Sequence, residues 1–86
     1  RRGQCTGSLE CLHPAGALVW RLPERKGEYP RRCAALYCAR GTLALPEAGL
    51  TAQAGQLLLC RDVDREELTL EGSEDAAVMA AVMDAR

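Results

Sequence analysis

LYCARGTLALPEAGLTAQAGQLLL, Leu36 to Leu59, carries two apolar strand-like runs on either side of Gly41. A turn follows at Pro46 to Gly49, and a second glycine, Gly55, opens another apolar run. Short apolar runs punctuated by glycine and proline are the rhythm of an antiparallel barrel or sandwich. Within the run, Leu43 and Leu45 fall on one parity and face the core, while Thr42 and Ala44 fall on the other. Gly41 permits a bulge or a close backbone approach, and Ala54-Gly55-Gln56 is a tight turn before Leu57–Cys60.

Upstream, Ala17–Leu22 reads as a strand by its β-branched and aromatic content, and Pro23 ends it. The segment 23–32, PERKGEYPRR, is a charged loop, and Cys33–Arg40 is the next strand. Residues 1–16 read as an irregular lead-in with a short strand at Ser8–Leu12, and residues 17–86 as one small barrel domain. Downstream, Arg61–Glu66 is a charged loop, and Glu67–Glu71 alternates so that Leu68 and Leu70 point inward. The closing run, AAVMAAVMDA, is open to two readings. Ser73 is a helix cap with Ala and Met as good helix formers behind it, or the run is a central strand, apolar on both faces. Strands recurring about every ten residues make the chain all-β.

Eighty-six residues make one small domain that buries about 60–65% of its unfolded surface. Net charge is −1, with arginines concentrated in the first half and carboxylates in the second, so the two sets complement each other on the surface. No basic stripe collects on one element, so nucleic acid is not expected as a partner. No apolar run reaches the length of a membrane span, and no positive-then-apolar leader is visible, so the expected location is cytoplasmic.

Five cysteines, an odd number, argue against a pure disulfide framework. Cys5-x5-Cys11-x-His13 with Cys33-x4-Cys38 offers thiol and imidazole ligands, but zinc prefers pairs with two to four intervening residues, so the first pair is too wide and the second marginal. Buried, inert thiols are the leading expectation. A Cys5–Cys11 disulfide and a zinc staple of Cys5, Cys11, Cys33 and Cys38 are the alternatives. Cys11 and His13 share a face if their segment is extended, which would suit a thiol nucleophile. Asp62/Asp64 and Glu66/Glu67 read as solvated loop charges, and no phosphate-cradling loop is present.

The run Leu36-Tyr37-Cys38-Ala39-Arg40-Gly41-Thr42-Leu43-Ala44-Leu45 resembles the glycine-bearing first motif of cupins. Leu50-Thr51-Ala52-Gln53-Ala54-Gly55-Gln56-Leu57-Leu58-Leu59 resembles their second motif. Leu68–Gly72 with Ala76–Val82 is similar to the paired closing strands. The resemblance spans residues 17–84 and is greatest to degenerate cupins: pirin-like C-terminal halves, stress-induced small cupins, and sensing domains of arabinose-regulator-type transcription factors. It implies a small antiparallel sandwich or barrel of jelly-roll type, and it favours a strand for the closing run.

Metal cupins place two histidines and a glutamate ahead of the first glycine and a third histidine in the second motif. Between Gly27 and Arg40 this chain has no histidine, and Glu28 is the only carboxylate; Arg61–Glu67 has no histidine either. His13, the sole histidine, cannot assemble a facial triad. The resemblance thus implies a metal-free, cofactor-free, non-catalytic domain that binds a small molecule or self-associates, with a homodimer expected. Trp20, Tyr37 and Arg40 are the candidate ligand-lining residues wherever their strands point inward, the arginine suiting a carboxylate or sugar acid. A degenerate cupin enzyme using a cysteine, Glu28 or Tyr37, and the zinc-stapled interaction module, are the other two readings.

Overall fold

A computed structural model describes residues 5–25, 27 and 29–86, Cys5 by its backbone alone. Eight strands run in chain order: β1 Cys5–Leu12, β2 Gly16–Arg21, β3 Arg31–Arg40, β4 Thr42–Leu45, β5 Leu50–Gln53, β6 Leu57–Cys60, β7 Glu67–Gly72 and β8 Ala77–Ala85. A short 3-10 turn, Pro46–Ala48, joins β4 to β5. Among the described residues the strands form two antiparallel four-stranded sheets, β1-β8-β3-β6 and β2-β7-β4-β5. Apart from the β4–β5 hairpin, consecutive strands thus lie in opposite sheets, as in a jelly roll.

The two sheets sandwich a single apolar cluster. The first contributes Ala34, Leu36, Cys38, Leu58, Val78, Ala80 and Val82; the second contributes Trp20, Leu43, Leu45, Ala52, Leu68 and Leu70. The predicted inward parity of Leu43, Leu45, Leu68 and Leu70 is what the structure has. Val63, inside the charged 61–66 loop, is also buried, and its amide donates to the Arg32 carbonyl at 3.0 Å. One apolar residue therefore pins a loop that the sequence presents as uniformly solvated.

One sequence expectation changes and one open reading closes. The lead-in is more regular than expected: the strand read at Ser8–Leu12 reaches back to Cys5, and all eight residues of Cys5–Leu12 pair with β8. Its weak strand composition is overridden by a ladder that satisfies its backbone groups. The ambiguous closing run is strand β8, flanked by β1 on one side and β3 on the other. A centre-of-sheet position supplies both rows of hydrogen bonds, which outweighs the helix propensity of Ala and Met.

β3 carries the one register shift of its ladder with β8. Cys38 pairs with Val78, Arg40 with Ala77, and Ala39 is the extra residue. The bulge falls two residues before Gly41, which takes φ +75° and brings the backbone against Ser73. The Thr42 amide donates to Ser73 Oγ at 3.0 Å, the Ser73 amide returns a bond to the Thr42 carbonyl at 3.2 Å, and Ser73 Oγ donates to Asp75 at 2.8 Å. This clasp fastens the start of β4 to the β7–β8 turn.

Candidate functional site

The interior is the first place a cupin would do chemistry. Its packed centre is aliphatic apart from Trp20, with the Cys38 thiol 3.4 Å from the carbonyl oxygens of Arg40 and Gly41 at the bulge. His13 lies exposed on the β1–β2 turn, outside the sandwich. Among the described residues, no three histidine, cysteine or carboxylate side chains gather to hold a metal. The donor set of the metal cupins is therefore absent among the described residues.

The zinc alternative fails on strand geometry. Cys33 and Cys38 lie five residues apart on β3, so they point to opposite faces. Cys38 is buried inside, and Cys33 faces outward opposite Met83. Cys11 lies outside on β1, its Sγ 3.3 Å from Met79 Sδ. The Cys5 side chain lies outside the described residues. A Cys5–Cys11 disulfide is excluded by backbone alone, because six residues of strand span about 20 Å, against under about 7 Å between bridged Cα atoms. Cys11, Cys33, Cys38 and Cys60 are free thiols. Only Cys38 is fully buried, so the expected burial holds there, weakens at the half-buried Cys33 and Cys60, and fails at the exposed Cys11. Burial, and after it the neighbouring Cys33, push the Cys60 thiol up from its ordinary range. That setting disfavours a nucleophilic thiolate.

The three ligand candidates do not meet. Trp20 points into the core from β2, and its Nε1 is the one buried side-chain N or O atom among the described residues without a hydrogen-bond partner. Tyr37 has the outward parity of β3. Arg40 would share the inward parity of Leu36 and Cys38, but the Ala39 bulge turns it out to solvent. Glu28 lies outside the described residues.

A cleft of about 610 Å³ opens at one end of the sandwich, lined by Arg21, Arg25, Arg32, Arg65 and three carboxylates. Each arginine is already engaged. Arg32, buried on β3, pairs with the buried Asp84 directly opposite on β8: Nε–Oδ1 2.5 Å, Nη2–Oδ2 2.9 Å, with Nη2 also donating to the Pro23 carbonyl at 2.8 Å. The hydrogen bonds to Asp84, opposed by burial and aided by its charge, hold the Arg32 guanidinium above its ordinary pKa. Arg25 donates to the Val63 and Pro30 carbonyls. Arg21 pairs with Glu67 at 2.9 Å, and Arg65 with Glu47 at 3.3 Å. The arginines of the cleft are thus held by carboxylates and carbonyls of the chain itself.

What the sequence reading missed is a surface. The outward positions of β2, β4, β5 and β7 are those of a wet sheet face, with Arg21, Glu67, Thr69, Glu71, Thr42, Thr51 and Gln53. Of the outward positions of β1-β8-β3-β6, the three middle rows are dry. Row by row they are Cys11, Met79, Tyr37 and Leu57; then Leu9, Ala81, Ala35 and Leu59; then Gly7, Met83 and Cys33. None is charged. Leu9, Tyr37, Leu57, Leu59, Met79 and Met83 are all exposed. The signal was present in the alternate residues of AAVMAAVMDA and QLLLC, apolar on both parities.

No family model matches the sequence, and no curated protein does. Among solved structures, the fold is similar to a cupin-2 domain protein from Shewanella frigidimarina, at 16% identity and TM-score 0.52 over all of this chain and 74% of that one. It is also similar to ectoine synthase from P. lautus, at 10% identity and TM-score 0.51 over 96% of this chain, and to the Clostridium difficile EutQ protein, at 12% identity and TM-score 0.50 over 98%. The chain spans about three quarters of the first and about half of the other two, 55% and 54%. Among the described residues, no helix is long and apolar enough to cross a membrane. The architecture is that of a small cupin-type β-sandwich.

Proposed function

We propose that this chain is a degenerate cupin domain that has lost the metal chemistry of the fold and works by association through its surface, not by catalysis. The observation that carries the reading is the interior. The inward positions of β3, β4, β6, β7 and β8 hold alanine, leucine, valine and one thiol, and the one inward ion pair, Arg32–Asp84, is closed on itself. Between these strands the packed apolar centre leaves no room for a substrate or an ion, while Thr6, Ser8 and Glu10 of β1 lie outside that packed cluster. The ectoine synthase likeness supports the fold alone at 10% identity. Ligand binding in the barrel mouth has less support than association, because Trp20, Tyr37 and Arg40 occupy three separate places. Degenerate relatives of sensing or stress-response type, acting in the cytoplasm without cofactor, fit this reading best.

Calorimetric titration of the metal-stripped protein with Fe(II), Mn(II), Ni(II) and Zn(II) tests it. The expected result is no stoichiometric binding at micromolar protein. Tight one-to-one uptake of any of the four would overturn it.

A further inference from the structure

We infer that Cys11, Met79 and His13 form a surface site for a soft monovalent metal ion, Cu(I). The inference goes beyond the association reading above. It concerns the outer side of β1 and β8 and leaves the packed centre of the sandwich as described.

The chain has two methionines, Met79 and Met83, and both take outward positions on β8. Each stands directly opposite a cysteine on a neighbouring strand, Met79 opposite Cys11 of β1 and Met83 opposite Cys33 of β3. The antiparallel register thus makes two thiol–thioether pairs on one sheet face, with the methionines about 13 Å apart along β8. At the first pair the sulfurs already meet. Cys11 Sγ lies 3.3 Å from Met79 Sδ, and both residues are exposed. Metal–sulfur bonds run about 2.3 Å, so two sulfurs this close can bond one ion together.

A third donor distinguishes this pair from the other. His13, the sole histidine of the chain, is exposed and follows Cys11 by two residues. Leu12 packs against the core and Pro14 is fully buried, so His13 between them points out on the side of Cys11. Met83 lies four residues further along β8 from this end, and its partner Cys33 is only half exposed.

Donor chemistry chooses the ion. Thiolate and thioether are soft ligands that select Cu(I), and imidazole suits copper as well. Zinc takes thiolate, imidazole and carboxylate, and the thioether is not among its usual ligands. On binding, the Cys11 proton leaves to solvent and a sulfur–copper bond takes its place. The ion enters as Cu(I), so no electron moves.

Competition with the Cu(I) chelator bathocuproine disulfonate tests the inference, without oxygen and with ascorbate to keep the copper reduced. The expected result is one Cu(I) per chain, lost in Cys11→Ser and unchanged in Cys33→Ser and Met83→Leu. Removing groups that merely support a metal ligand costs about 10–100-fold in affinity, so Met79→Leu and His13→Gln should each weaken binding at least about tenfold. Leucine for methionine conserves volume, so that variant keeps the fold. X-ray absorption of the copper-loaded chain should find two sulfurs and one nitrogen about the ion. Failure to take copper from the chelator overturns the inference. So does an affinity indifferent to Met79→Leu or to His13→Gln, the mark of an adventitious thiol. An equal loss in Cys33→Ser overturns it as well.

Discussion

Asp84→Ala is expected to lower the free energy of unfolding by about 3–5 kcal/mol, measured by urea denaturation. The cause is not the attraction lost but the charge left behind. Arg32 is 3% exposed and Asp84 5%, and the two sit directly opposite each other on the central strands of their sheet. With the carboxylate gone, the guanidinium keeps the Pro23 carbonyl from among these partners and remains in a site that water scarcely reaches. Replacing both partners by apolar residues of similar size, Arg32→Met with Asp84→Leu, should recover most of the loss, because a buried pair barely offsets its own desolvation. A single-variant loss below about 1 kcal/mol would show that the pair is solvated and the end of the sandwich open.

Gly41→Ala should cost about 2–4 kcal/mol by the same measurement, and Gly55→Ala clearly less. Both glycines have positive φ, +75° and +92°. The left-handed backbone alone costs an alanine about 1–2 kcal/mol. Beyond that shared term the two sites differ. A Cβ on Gly55 meets nothing within 4 Å, whereas one on Gly41 would stand 2.3 Å from Ser73 Oγ, 2.7 Å from Asp75 Oδ1 and 3.0 Å from the Ala76 Cα. The Ser73 clasp must open to admit it, at about 1 kcal/mol for each hydrogen bond broken. Equal losses at the two positions would refute the close approach at Gly41.

The two glycines show how far local pattern reached. Gly41 and Gly55 were legible as special backbone positions because glycine between apolar runs has few other uses. β4 and β6 begin and end where the apolar runs do. Only the Ser8–Leu12 part of β1 was legible: Thr6 and Gly7 have little reason to be extended until β8, more than 70 residues away, supplies the ladder. β8 itself was half-legible, since alanine and methionine are helix formers and only a centre-of-sheet position settles the matter.

The site residues failed on finer grounds. Arg40 has the parity of an interior residue, and one inserted residue, Ala39, turns it out. Tyr37 is outward by parity, which the alternation of β3 discloses once the strand's inner face is known. The Arg32–Asp84 pair joins residues 52 positions apart and leaves no trace in local pattern. The dry outer face was written in plain alternation. It went unread because a strand apolar on both faces is the ordinary mark of a strand covered on both sides, and here one of those sides lies open.

Trp20 reports most directly on whether this sandwich is closed. It is the only tryptophan in the chain and is 3% exposed among Leu22, Leu68 and the other core residues. Acrylamide quenching of its fluorescence, with and without added divalent metals and sugar acids, should find a blue-shifted emission that is hard to quench and indifferent to every addition. A water-like emission that is readily quenched, or one that shifts when a metal or a sugar acid is added, would mean that the interior admits ligands and that the domain does its work inside the sandwich.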